Sequence, residues 1–111
     1  MKIPFTKAHG TGNDFIIIFA DDIQNTQLNE NLIQQLCHRH KGVGSDGLLL
    51  ISHDPTLDFK LDYYNSDGTW ETFCANGSRC AVIYMQRRGL IKEDCDFHAG
   101  DGPHSAKIIH K

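Results

Sequence analysis

The densest chemistry in the chain lies in Cys74-Ala75-Asn76-Gly77-Ser78-Arg79-Cys80. The residues after it carry helical apolar spacing, so Cys74 is expected just before a helix. A helix N-terminus presents N–H groups without intrahelical partners and the positive end of the helix dipole. Such surroundings lower a thiol's pKa and make it a usable base or nucleophile. The same amides, those of Ala75 and Asn76, can hold a carboxylate. A thiol beside a carboxylate cradle suits proton removal at the α-carbon of an amino acid. There the bound acid group must stabilise the growing negative charge while sulfur takes or gives the proton. The competing expectation is an inert, buried cysteine at a helix start. Cys80 falls on the apolar side of the helix and is expected to pack in the core.

A second candidate is His9-Gly10-Thr11-Gly12-Asn13-Asp14-Phe15. Its glycines complete neither a dinucleotide fingerprint nor a phosphate loop, and a strand follows rather than a helix, which excludes a nucleotide site of either kind. What remains is a tight turn that aims Asn13, with His9 beside it, into a cleft. An asparagine amide carries both donors and an acceptor and can meet an ammonium or a carboxylate. It can equally satisfy its own turn. Asn65, before Ser66-Asp67-Gly68, carries the same two readings. Seven histidines raise the question of a metal, but no set has the spacing of a tetrahedral site.

Composition narrows the classes. The chain has 111 residues, 11 basic and 14 acidic, a net charge of −3. That argues against nucleic acid as a partner, which calls for a basic stripe. No apolar run approaches the ~20 residues of a membrane span, and no signal-peptide core is present. Four cysteines without a CxxC pair fit free thiols in a cytoplasmic protein.

The elements that must position these residues follow from periodicity. Strands are expected over 3–8, 15–20, 48–51 and 59–64, the second of them buried on both faces. Asn65-Ser66-Asp67-Gly68 should turn a hairpin into 69–73. A helix is expected over 29–40, with Asn29 as N-cap and Gly42 as its stop. A second helix should run from about Asn76 to Arg88, with Cys80, Ile83, Tyr84 and Arg87 on one stripe, Ala81 and Met85 beside it, and Gly89 ending it. A last hairpin should fold around Gly100-Asp101-Gly102-Pro103. Its second strand runs into Lys111 without a closing element, which predicts that the chain is part of something longer.

Four motifs in order and spacing resemble the N-terminal half of the diaminopimelate epimerase family. They are residues 9–15, Gly42-Val43-Gly44-Ser45-Asp46-Gly47, Tyr64-Asn65-Ser66-Asp67-Gly68, and residues 74–80. The resemblance covers Ile3 to about Ile109. It implies an α+β fold, a β-barrel-like curved sheet wrapped around a central helix, with residues 1–111 as the first of two such domains. It implies interconversion of LL- and meso-diaminopimelate, on the route to lysine and cell-wall peptide, with no cofactor, neither pyridoxal phosphate nor metal. Carried over by position, Cys74 resembles the catalytic cysteine of the first domain. Asn13 and Asn65 resemble substrate-binding asparagines, and Ala75 and Asn76 the amides that receive the α-carboxylate.

The family's two-base reaction needs a second cysteine on the opposite face of the α-carbon, because one base returning its own proton regenerates the starting isomer. That cysteine belongs to the C-terminal domain, so the expected partners are this missing domain and a small amino-acid substrate. An open cleft wall would also favour homo-oligomers. Two positions depart from the commonest pattern: Ala75 where many members have Gly, and Gly47 where some have a substrate-contacting Gln. The rival expectations are a racemase of the same superfamily acting on another amino acid, such as the proline racemase-like enzymes, and a non-catalytic module with a structural or redox-sensing thiol.

Overall fold

A computed structural model describes residues 3–10, 12–23 and 28–109. Thr11, within the first glycine turn, lies outside them. The described elements are β1 (Thr6–His9), β2 (Asp14–Phe19), a 3-10 turn (Ala20–Ile23), α1 (Glu30–Cys37), β3 (Gly47–Ser52), β4 (Phe59–Asn65), β5 (Trp70–Glu71), α2 (Ala75–Arg87), β6 (Asp94–Ala99) and β7 (Gly102–Lys107).

One mixed sheet runs in the order β1-β2-β3-β4-β6-β7, with β5 also on β4. β2 and β3 are parallel, joined through α1, and β4 and β6 are parallel, joined through α2. The outer edge of β4 is divided. Its first residues, Phe59 and Lys60, pair with β6, whereas Tyr63 and Tyr64 pair with β5. The chain passes into α2 from the end of that short β5.

β2 shows why the apolar run had to be buried on both faces. Phe15, Ile17 and Phe19 point toward α2 and join Leu49, Ile51, Phe59, Leu61, Ala81, Val82 and Met85. Ile16 and Ile18 point the other way and join Ile33 and Cys37 of α1 with Leu48. Strand alternation thus feeds two cores, and each buried Ile contributes roughly 1.5–3 kcal/mol. Edge strands β1 and β7 both come alongside α2. Ala8 and Ile17 share a cavity with Cys80 and Tyr84, and Ala106 and Ile108 share another with Ser78 and Val82. The sheet therefore curls around α2, as expected, but stays open between its two edges.

Two helical expectations need correction. α1 begins as read, with the Asn29 side chain accepting from the Leu32 amide at 2.8 Å. It stops at Cys37, three residues early, because His38 turns extended and its Nδ1 accepts from the His40 and Lys41 amides. That local bond replaces another helical turn.

The buried side of α2 is also only partly the predicted one: Cys80, Ala81 and Met85 are buried as read, but Ile83 is not. It consists of Gly77, Ser78, Cys80, Ala81, Val82 and Met85, and Ile83 is 43% exposed. The small residues decide this. A Cβ on Gly77 would stand 2.9 Å from Leu49 Cδ2, so the helix lies close enough to β3 that only small side chains fit between them. The far end is as read, with Arg88 as C-cap and Gly89 at φ +74°. The hairpins are tighter than expected: β5 holds two residues, and β6 and β7 meet across Gly100-Asp101 alone.

Candidate active site

The register of the sheet gathers the predicted residues at one end. Phe15 on β2 pairs with Gly47 on β3, and Gly47 pairs with Asn65 on β4. Asn13, Asp46 and Asn65 therefore lie at the same rim. The first turn of α2 meets that rim, because Asn76 Nδ2 donates to Asn13 Oδ1 at 2.9 Å across 63 positions of sequence.

Cys74 is the N-cap of α2, in extended conformation, and its side chain makes no capping bond. The thiol is half-buried and packs partly against the main core. The first intrahelical bond runs from the Ser78 amide to the Cys74 carbonyl at 2.9 Å. The amides of Ala75 and Gly77 thus precede any acceptor within the helix. Asn76 in turn accepts from Arg79 at 3.1 Å, one turn along the same helix. Sequence reading passed over Arg79, although its i+3 spacing from Asn76 is the available signal.

Asn13 is braced from its other side. Its Nδ2 approaches Asp46 Oδ2 at 3.4 Å. Asp14 and Asp46 hold each other's backbone, Asp46 N to Asp14 Oδ1 at 2.9 Å and Asp14 N to Asp46 Oδ2 at 3.1 Å. Arg39 closes the clamp with two bonds to Asp14, at 3.0 and 3.1 Å, and one to Asp46. Lys7 adds an ion pair to Asp14 at 3.1 Å and donates to the Gly44 carbonyl. An open cavity of about 330 Å³ lies over this clamp, lined by His9, Gly12, Asn13, Asp14, Arg39 and Asp46. No single residue type announced the clamp, because Lys7 and Asp14 come from β1 and the start of β2, whereas Arg39 and Asp46 come from the two ends of the connection between α1 and β3.

The Arg39 guanidinium, helped by the Asp46 amide and Lys7 against the opposing effect of burial, holds the Asp14 carboxyl well below the usual carboxylate range. A depressed folded-state pKa means the stabilisation is complete above the unfolded value of about 3.9 and is lost as pH falls below it. We expect Asp14→Asn to cost about 2 kcal/mol at pH 7, after allowance for the solvent-exposed Arg39. The variant should also lose less stability than the parent between about pH 5 and pH 2. Thermal melting across that range checks both.

Asn65 is placed differently. Its Nδ2 is spent inside the hairpin, on Thr69 Oγ1 and Glu71 Oε1, each at 3.2 Å. The structure thus sets Asn13, Asn76 and Cys74 around one helix start and leaves Asn65 on the same rim, engaged with its own turn. Ala75 is exposed at the mouth of a groove between α2 and β7.

The other three cysteines are buried. Burial pushes each of these thiols up, Cys95 to about 11 with Asp58, Asp96 and Asp94 adding to it. Tyr63 is also raised, by burial first and then by the nearby Cys74. Among the described residues no group of three or more His, Cys, Asp or Glu is placed to hold a metal, and no helix is long and apolar enough to cross a membrane.

Known proteins fit this arrangement. The family model described as diaminopimelate epimerase matches residues 5–111. A diaminopimelate epimerase of Flavobacterium psychrophilum is 47% identical over 102 residues, 92% of this chain and 40% of that protein. One of Alkaliphilus metalliredigens is 42% identical over 94 residues, 85% of this chain and 33% of that protein. The chain therefore spans two-fifths or less of the length of these relatives. Among solved structures, a methylitaconate-delta-isomerase superposes with TM-score 0.74 at 17% identity, over 98% of this chain and 61% of that one. A PhzF-family phenazine biosynthesis protein of Bacillus anthracis gives 0.70 at 18% identity, over 100% and 38%. Those two likenesses establish the fold: an α+β domain with a curved mixed sheet around a helix. On the family model and the identities together, the chain belongs to the diaminopimelate epimerase family.

Proposed function

We propose that this chain is one domain of a cofactor-independent epimerase that interconverts LL- and meso-2,6-diaminopimelate. Cys74 is its proton-transferring thiol. The substrate's α-carboxylate lies on the first-turn amides of Ala75 and Asn76, and Asn13 and Asn65 hold its polar groups. The observation that carries this reading is the Asn76–Asn13 bond, which locks the glycine turn against the helix start capped by Cys74.

The chemistry follows from position. Sulfur at the N-cap stands next to any carboxylate bound by the helix start, and the α-carbon is one bond from that carboxylate. As the α-proton leaves for sulfur, charge flows into the carboxylate, where the amide dipoles already point. The opposite face of the carbon needs a second acid, which a second domain supplies. Closure of the two domains expels water and fixes the sulfur-to-carbon distance. The reaction belongs to lysine and peptidoglycan precursor synthesis, and the free thiols suit a cytoplasmic setting.

The test uses this chain alone and the chain joined to the remaining portion of the Flavobacterium psychrophilum relative. In D₂O the joined enzyme is expected to convert LL- to meso-diaminopimelate with deuterium entering at the α-carbon, and the chain alone to give no meso product. Turnover by the chain alone, or a folded joined enzyme that exchanges no α-proton, would refute the proposal.

A further inference from the structure

Four aromatic rings form a stack that ends beside Cys74. Phe59 on β4 and Phe97 on β6 are cross-strand partners, with ring centroids 5.1 Å apart and planes 10° from parallel. Phe97 is in turn the partner of His104 on β7, at 5.3 Å and 15°. His104 then stacks on Phe73 at 4.3 Å and 7°, the closest pair of the series. Three rings are thus set by sheet register, and the fourth is the residue directly before Cys74.

Phe73 needs such a support. Pairing of β5 ends at Glu71 and α2 begins at Ala75, so Thr72, Phe73 and Cys74 belong to neither element. The hairpin of β6 and β7 presses on this segment twice. Gly100 passes so close under Trp70 and Thr72 that an added Cβ would lie 2.5 Å from the indole and 2.8 Å from the Thr72 Cα. His104 covers Phe73. Asp101 Oδ1, 2.7 Å from His104 Nε2, fixes the turn of the imidazole about its own axis.

We propose that His104 is a positioning residue for Cys74: its ring, held in register on Phe97, seats Phe73 and thereby aims the thiol that follows. The proposal rests on the reading of Cys74 as the reacting thiol. A cysteine one residue from an irregular segment would otherwise wander by more than proton transfer tolerates, since about 1 Å of misplacement can cost a hundredfold in rate. A flat ring does what an aliphatic side chain cannot, because face-to-face contact restricts tilt as well as distance.

The experiment measures backbone amide order parameters at residues 73 and 74 of the 111-residue chain, without substrate, in the parent and two variants. His104→Phe keeps the ring and loses the Asp101 bond. His104→Gln keeps a donor for Asp101 and loses the ring. We expect values near 0.85 in the parent and in His104→Phe, and a fall below about 0.6 at both positions in His104→Gln, with β2 and β3 unchanged. Order kept in His104→Gln, order lost in His104→Phe, or a loss spread over the whole sheet would each overturn the assignment. Because no turnover is read, this outcome stands apart from whether Cys74 moves a proton, which its own substitution decides.

Discussion

Epimerisation by the joined enzyme is expected to fall about a thousandfold in Cys74→Ala, the scale of a lost acid–base group. Stability should move by less than about 1 kcal/mol, because the thiol is half-buried and makes no capping bond. The loss has a signature beyond its size. α-Proton exchange should vanish from the face that Cys74 serves, and inversion should vanish from both directions, since each direction uses both faces. Cys80→Ala is the control. That thiol is 7% exposed and packs among Ala81, Val82 and the β2 side chains, so its removal should cost about 1 kcal/mol of stability and leave turnover within about threefold. Steady-state rates, exchange at each α-carbon and thermal melts separate the two cysteines. Full turnover in a folded Cys74→Ala enzyme would end the assignment.

The difference in burial between two cysteines six residues apart was legible in the sequence, because it depends on local structure alone. A helix start after a turn and an apolar position about one and a half turns in are periodic facts. The doubly buried β2 and the Asn29 cap were legible for the same reason. What stayed hidden is what local spacing does not encode. The face of α2 was centred too far toward Ile83 and Tyr84: Cys80, Ala81 and Met85 are buried as read, but Gly77 and Ser78, which let the helix lie on Leu49, were passed over. The clamp joins Asp14 at the start of β2 to Arg39 and Asp46 of the α1–β3 connection through side chains that each read as ordinary surface charge. The stack ending on Phe73 exists only once β4, β6 and β7 are in register. Asn13 and Asn65 looked equivalent as turn asparagines. Only the packing of α2 on the rim gives the first a partner 63 positions away and leaves the second within its hairpin.

Gly47 leads to the other large effect. We expect Gly47→Val to destabilise the domain by about 3 kcal/mol, near the upper end for overpacking, which is roughly 15 °C in melting temperature for a chain of this size. A Cβ there would stand 2.6 Å from Tyr63 Cε1, 2.9 Å from its hydroxyl and 2.8 Å from the Tyr64 carbonyl oxygen. The two obstacles differ in kind. The tyrosine ring can be removed, whereas the carbonyl belongs to a strand paired with β3 from Gly47 to Ser52 and has nowhere to go. A Tyr63→Ala background should therefore relieve only part of the added cost, a coupling that a double-mutant cycle measures directly. The same geometry bears on the candidate site. The Tyr63 ring fills the space beside Gly47, packs edge-on against Phe15 at 6.1 Å and, besides the larger effect of burial, has its own ionisation raised by the nearby Cys74. A longer side chain at 47 would have to displace that ring from beside the thiol. Gly47→Val should then disturb turnover in the joined enzyme beyond what its stability loss explains, and equal activity per folded molecule would show that the ring does not matter to the thiol.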